Sequence, residues 1–298
     1  MPVKDHVTTS RRGRLADYWS MTKPDVNLLI GITTAAGFCL GRPPHEDGFP
    51  FLRLAHTVIG TLLVAGGTGT LNQWMERRFD ALMRRTAGRP VAGGRIAPAS
   101  ALAFGALLCA GGVPDLAVAV NAFSAVIALL TMAVYLGVYT PLKRKTPFCT
   151  IIGAIPGAAP PLIGWAAATG SLSLEAWALY AFVFLWQFPH FMAIAWMYRA
   201  DYDRAGYAVL PSGELGWSFM EWQVGPPLIL LLPLSLTPVF FGRAGLAYLA
   251  TAVVLGCGFL YLADRLALQR SNAMARRLLH ASIIYLPLTF ALMVLDRA

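Results

Sequence analysis

Nine apolar stretches joined by short polar connections leave this chain few ways to fold. Their approximate cores are 25–41, 54–73, 97–113, 116–138, 149–168, 174–198, 222–241, 245–263 and 279–295. A helix needs ~20 apolar residues to cross a bilayer, somewhat fewer where neighbours cover its ends. Hydrophobic residues make up 57% of the 298 and charged residues 13%, whereas a soluble domain carries about a quarter charged. The expected fold is an all-α integral membrane protein with nine transmembrane helices. The first and third spans are short, and Pro156, Pro160 and Pro161 must bend the fifth. No linker or low-complexity tract divides the chain, so residues 1–298 read as a single membrane-embedded domain, of which 1–20 form a polar N-terminal segment.

Basic residues set the orientation. With the N-terminus in the cytoplasm, Lys4, Arg11, Arg12, Arg14 and Lys23 lie inside, together with the basic residues following spans two, four, six and eight. Of the 24 Lys and Arg, 20 then face the cytoplasm, leaving Arg42, Arg53, Arg243 and Arg297 outside. Such a bias predicts an inside N-terminus and an outside C-terminus. The net charge of +9 is thus a topology signal plus attraction to anionic membrane lipid, and gives no reason to invoke nucleic acid. The first 20 residues lack the apolar centre of a cleavable signal peptide. Cys39, Cys109, Cys149 and Cys257 and the histidines His6, His45, His56, His190 and His280 show no metal-ligand spacing.

One polar stretch continues the helical register of the second span: Asn72-x₃-Glu76-x₃-Asp80, followed by Arg84, Arg85 and Arg89. At i, i+4 and i+8 the three residues fall on one helix face. Two carboxylates one turn apart can share Mg²⁺, a hard cation usually held by one or two carboxylates plus substrate phosphates, and the arginines can cover the remaining phosphate oxygens. The plainer reading is a charged helix end in which the acids pair with neighbouring arginines.

Charge placement separates enzyme from transporter. A transporter puts ionisable groups near the bilayer midplane. Here they collect at cytoplasmic helix ends, as expected of an enzyme whose substrate has a charged head at the surface and a tail in the membrane. Tyr139-Thr-Pro-Leu-Lys143-Arg144-Lys145 closes span four with a cluster suited to gripping a diphosphate, although positive-inside anchoring explains the same charge. Trp186-Gln187-Phe188-Pro189-His190-Phe191 lies within span six. There Pro189 frees a carbonyl and Gln187 and His190 add polar groups, pointing to a nearby cavity or ligand, or to a helix–helix hydrogen bond. Arg199-Ala-Asp201-Tyr202-Asp203-Arg204 follows as a second acidic cluster; on a continuous helix its two acids diverge.

Taken together, Asn72-x₃-Glu76-x₃-Asp80 with Arg84 to Pro90, Tyr139-x₃-Lys143-Arg144, and Asp201-Tyr-x₂-Ala-Gly206 resemble the UbiA superfamily of membrane prenyltransferases. Arg85-Thr86-x₂-Arg89-Pro90, Gly153-x₂-Pro156-Gly-x₂-Pro160-Pro161, and Trp186-Gln-Phe-Pro-His190-Phe are similar to its branch that farnesylates protohaem IX. The resemblance implies nine helices around a central cavity open to lipid. It further implies a multi-pass protein of the cell inner membrane that uses Mg²⁺ to join farnesyl diphosphate to haem B, giving haem O. Downstream partners would be haem A synthase or oxidase assembly proteins. By this analogy Asn72, Glu76, Asp80 and Asp201 are metal ligands and, with Lys143 and Arg144, the catalytic set. Arg84, Arg85, Arg89, Tyr139, His190, Tyr202 and Asp203 contact substrate. Ala205 stands four residues after Asp201, where an acid completes the second motif, and Lys143 and Arg144 supply charge in its place. Acidic motifs leave open other acceptors, namely an aromatic acid, a chlorin or a lipid alcohol; a haem or lipid transporter or an assembly factor is the non-enzyme alternative.

Overall fold

A computed structural model describes residues 13–42, 48–211 and 213–297; Lys4, His6, Arg11, Arg12 and His45, considered above, lie outside them. The described residues form helices and connections with no strand. A short surface helix α1 (Arg14–Met21) precedes the first span, α2 (Pro24–Gly41), and the long second, α3 (Phe51–Asp80). Span three is α4 (Pro98–Asp115) continued by a π-wound turn, Leu116–Val120. Span four is α5 (Ala122–Ala133), a second π-wound stretch, Val134–Tyr139, and the single turn α6 (Thr140–Leu142). Span five is broken into α7 (Cys149–Gly157) and α8 (Pro160–Thr169), and span six is α9 (Leu174–Met197), followed by the short α10 (Arg199–Arg204). The last three spans are α11 (Glu214–Phe240), α12 (Leu246–Gln269) and α13 (Asn272–Leu295). Among the described residues nine helical segments are therefore long and apolar enough to cross a membrane.

Several boundaries differ from those expected. α3 runs on to Asp80, and α11 and α13 begin several residues before their apolar cores, because polar residues extend a helix beyond hydrocarbon as readily as apolar ones do. The break between spans three and four lies at Asn121, not around residues 114–115. Pro114 remains inside α4, whereas Asn121 is extended (φ −166°, ψ 157°) and its side chain accepts from the Ser124 backbone N–H at 2.8 Å, capping α5. Pro156, Pro160 and Pro161 divide span five as expected. That span is the most enclosed, with 72% of its apolar window buried, so α7 and α8 form the middle of the bundle; span four, 17% buried, faces outward.

Glycine lets the central helices touch. At the α2–α8 crossing a Cβ on Gly164 would run into the Thr34 carbonyl oxygen, and one on Gly37 into that of Pro161. α3 and α4 approach as closely, with the Gly112 Cβ position 2.7 Å from the Gly60 carbonyl oxygen. Lipid tails are as apolar as leucine, so helices associate in a membrane through such close backbone packing. At the other side, α9 and α11 to α13 are joined by an aromatic core in which Phe182 stacks on Tyr285 at 5.8 Å and meets Phe290 edge-on.

Candidate active site

Because α3 is unbroken, Asn72, Glu76 and Asp80 rise one turn apart along a single face, as their spacing predicts, and all three are at least 94% buried. Each has its own cationic partner. Lys23 Nζ donates to Asn72 Oδ1 at 3.1 Å, Lys143 Nζ to both Glu76 oxygens at 3.0 and 3.1 Å, and Arg89 to both Asp80 oxygens at 2.9 and 2.8 Å. The acids do pair with cations, yet not with their neighbours on the helix: Arg77 bonds instead to the Trp74 carbonyl and lies over its ring. Buried ion pairs repay little of their desolvation cost. Two side by side at the head of a cavity are therefore better explained by chemistry than by stability.

Local folding delivers each cation. The segment 81–97 curls back so that Thr86 Oγ1 donates to the Asp80 carbonyl at 2.9 Å, bringing Arg89 over the carboxylate; Arg95 fastens it to Asp17 of α1. Lys143 follows α6, over the Tyr139 ring at 4.6 Å. Burial would lower its ammonium pKa, but Tyr139 and the Glu76 carboxylate outweigh that and hold it well above the usual lysine range. Thr140 of α6 accepts from Asn72 Nδ2 at 3.2 Å, tying the two motifs together. Arg144 points elsewhere, stacking on Phe79 at 4.1 Å, and the Arg84 side chain is exposed to solvent.

The second acidic cluster is helical, and its two acids diverge as their spacing on a continuous helix predicts: on α10 Asp201 turns inward and Asp203 outward to solvent. Asp201 accepts from the Arg85 backbone N–H at 3.1 Å and from Arg204 at 3.0 Å. Burial would raise its carboxyl pKa, but these N–H groups, that of Arg84 and the Arg204 guanidinium hold it below the usual aspartate range. Arg85 also donates to the Tyr202 hydroxyl at 3.3 Å and lies over the Tyr198 ring. Asp201 thus clasps segment 81–97 to α10. Among the described residues no three Asp, Glu, His or Cys gather into a metal-ready group, and the oxygens of Asp201 are taken by Arg85 and Arg204.

Beneath this head lies a cavity of about 290 Å³, whose polar lining includes Lys23, Tyr135, Tyr139, Gln187 and His190. Its walls come from α2, α3, α5, α7 and α9 and are mostly apolar. His190 stacks on Trp186 at 4.9 Å, and its Nδ1 lies 2.7 Å from Ser282 Oγ of α13. Sequence reasoning counted Lys23 only as an orientation charge and passed over Tyr135 and Ser282. Lys23 carried a visible signal: a lysine directly before proline at the mouth of a span. It adopts a left-handed conformation (φ 56°), uncommon outside glycine, and its ammonium links Asn72 to the cavity.

A buried carboxylate–cation head above an apolar membrane cavity is the arrangement of a membrane prenyltransferase. Residues 30–286 match the UbiA prenyltransferase family, and the chain belongs to that family. It is 47% identical over 289 residues to the protoheme IX farnesyltransferase of Solibacter usitatus, covering 95% of this chain and 99% of that one. The protein of the same name from Salinibacter ruber is 43% identical, with 95% and 99% covered. Among solved structures, a digeranylgeranylglyceryl phosphate synthase superposes with a TM-score of 0.74 at 16% identity, over 95% of this chain and 98% of that one. A UbiA homolog from Archaeoglobus fulgidus bound to GPP and Mg²⁺ gives 0.68 at 14%, over 93% and 99%. These two likenesses show the fold.

Proposed function

We propose that this multi-pass membrane prenyltransferase transfers the farnesyl group of farnesyl diphosphate to a vinyl group of haem B, with addition of water, giving haem O and diphosphate. The observation that carries this reading is identity of 47% over nearly the whole length with a protoheme IX farnesyltransferase. The cavity beneath the charged head supplies the physical frame. We place the protein in the cell inner membrane with its N-terminus inside, and read 1–298 as one domain. Haem A synthase or oxidase assembly proteins are the partners expected downstream.

The donor set fits Mg²⁺. Glu76 and Asp80, with Asn72, offer hard oxygen ligands one turn apart on a rigid helix, and the diphosphate would complete the coordination. Bound there, Mg²⁺ would neutralise the leaving diphosphate as the allylic C–O bond breaks. Lys143 and Arg89 orient the phosphate oxygens, with Arg84, Arg85 and Arg144 at the entrance. We assign Asp201 to positioning, since it holds the Arg84–Arg85 backbone in place, and Tyr202 to steadying Arg85. Asp203 at the surface is left to meet diphosphate only as it enters. Tyr139, between Lys143 and the cavity, lies where head and prenyl tail meet. Apolar walls keep bulk water from the allylic cation, while His190 lies on the acceptor side.

Membranes incubated with haem B, farnesyl diphosphate and Mg²⁺ should yield haem O by mass, and chelating the metal should abolish it. Asp80→Asn keeps shape but removes charge, so turnover should fall by on the order of 10²-fold or more with the protein still folded in detergent. Near-normal turnover at saturating Mg²⁺ would return the motif to a plain ion pair.

A further inference from the structure

The deep wall of the cavity carries two acceptors that the rest of the protein leaves unused. Ser282 Oγ lies 2.6 Å from the Leu279 carbonyl oxygen and 2.7 Å from His190 Nδ1. Two oxygens that close need a proton between them, and a carbonyl has none, so Ser282 donates to Leu279. Only lone pairs then remain on Ser282 to face the histidine. Nδ1 must therefore carry the ring proton of the neutral imidazole, which leaves Nε2 as a bare lone pair with no partner among the described residues. Three residues earlier on the same face of α9, Gln187 Nε2 donates to the carbonyls of Ala154 at 3.0 Å and Val183 at 3.2 Å. Both amide protons are used and the amide's orientation is settled. Its Oε1 remains an acceptor in space left by Gly157, where any Cβ would collide with it.

Resting on the haem reading above, we propose that Gln187 Oε1 and His190 Nε2 hold the water that completes the reaction, with His190 as the base that takes its proton. Bonding of the farnesyl C1 to the terminal vinyl carbon uses the vinyl π pair and leaves the adjacent carbon cationic. The water oxygen gives a lone pair to that carbon. One O–H bond breaks and its proton passes to Nε2, while the other hydrogen, directed at Oε1, stays on the new hydroxyl. One water is consumed and no oxidant is needed. Without a placed water and base, the same cation loses a proton from carbon and ends as an alkene one water lighter. Among the described residues no carboxylate lines the cavity to capture it instead.

The test uses the full-length protein in detergent with haem B, farnesyl diphosphate and Mg²⁺ in oxygen-labelled water, comparing wild type with His190→Gln and Gln187→Leu. Gln187→Met, which keeps the length but lacks the amide oxygen, serves if Gln187→Leu fails to fold. Hydrated product should fall by about 10²-fold, the scale of general-base catalysis, the lighter alkene should appear, and KM for farnesyl diphosphate should hold. An unchanged ratio of hydrated to alkene product would overturn the assignment. If the bound haem spectrum shifts while that ratio holds, His190 is an iron ligand and the proposal is equally overturned. Absence of haem O from the wild type would instead overturn the haem reading, and the proposal with it.

Discussion

Lys143 and Arg144 are neighbours in sequence and do different work. Lys143 is the partner of the buried Glu76, whereas Arg144 stacks on Phe79 at the surface. Removing one preorganised donor from developing negative charge costs about 10²–10³ in rate, so Lys143→Gln should lower kcat/KM for farnesyl diphosphate by about two to three powers of ten. Arg144→Gln should change it by less than about fivefold, the scale of a surface interaction. Equal, small effects in steady-state kinetics would return both residues to membrane anchoring. Their difference was not legible in the sequence, which shows one basic cluster. Asn72, Glu76 and Asp80 were legible because helical register alone puts them on one face. Their partners were not, since Lys143 lies 67 residues from Glu76 and reaches it only through the fold. The contacts of Asp201 were hidden for the same reason: composition marks an acid, and only the path of segment 81–97 reveals the backbone it holds.

Element by element, apolar length located every span, and the errors fell where polar residues prolong a helix or where Pro114 stays within α4 and the break comes later, at Asn121. Helix contacts were hidden, because a glycine at a crossing and one facing lipid look alike in sequence. Gly164 and Gly111 separate the two cases. A Cβ at Gly164 meets the Thr34 carbonyl, while at Gly111 it meets nothing within 4 Å. Gly164→Ala should destabilise the protein by ~1–3 kcal/mol, as overpacking does, and Gly111→Ala should be neutral or stabilise it by up to ~1 kcal/mol through helix propensity. Thermal unfolding in detergent would register both, and similar shifts for the two would contradict the close α2–α8 crossing.

For the whole molecule, charge bias gives a direction that helix packing alone lacks. Twenty of 24 basic residues on one side predict that a periplasm-dependent reporter fused after Arg297 is active and one placed in segment 81–97 is silent. The reverse pattern would invert the protein and put its charged head on the outer face.

The pairing of every acid at that head has a further consequence. At rest both carboxylates are engaged, Glu76 on Lys143 and Asp80 on Arg89, while Lys23 bonds the neutral Asn72. For a metal alone, Glu76 and Asp80 would first have to give up Lys143 and Arg89; for a diphosphate alone, those two cations would be engaged. Arriving together they would permit a four-way exchange of partners: Glu76 and Asp80 would hold the metal, and Lys143 and Arg89, so released, would meet the phosphates. The head should then behave as a coincidence gate, closed to either ion singly, so that no allylic cation forms before both are seated. An uncleavable farnesyl diphosphate analogue should bind at least about tenfold more weakly without Mg²⁺ than with it, about 1.4 kcal/mol; equal affinity would mean the gate does not exist.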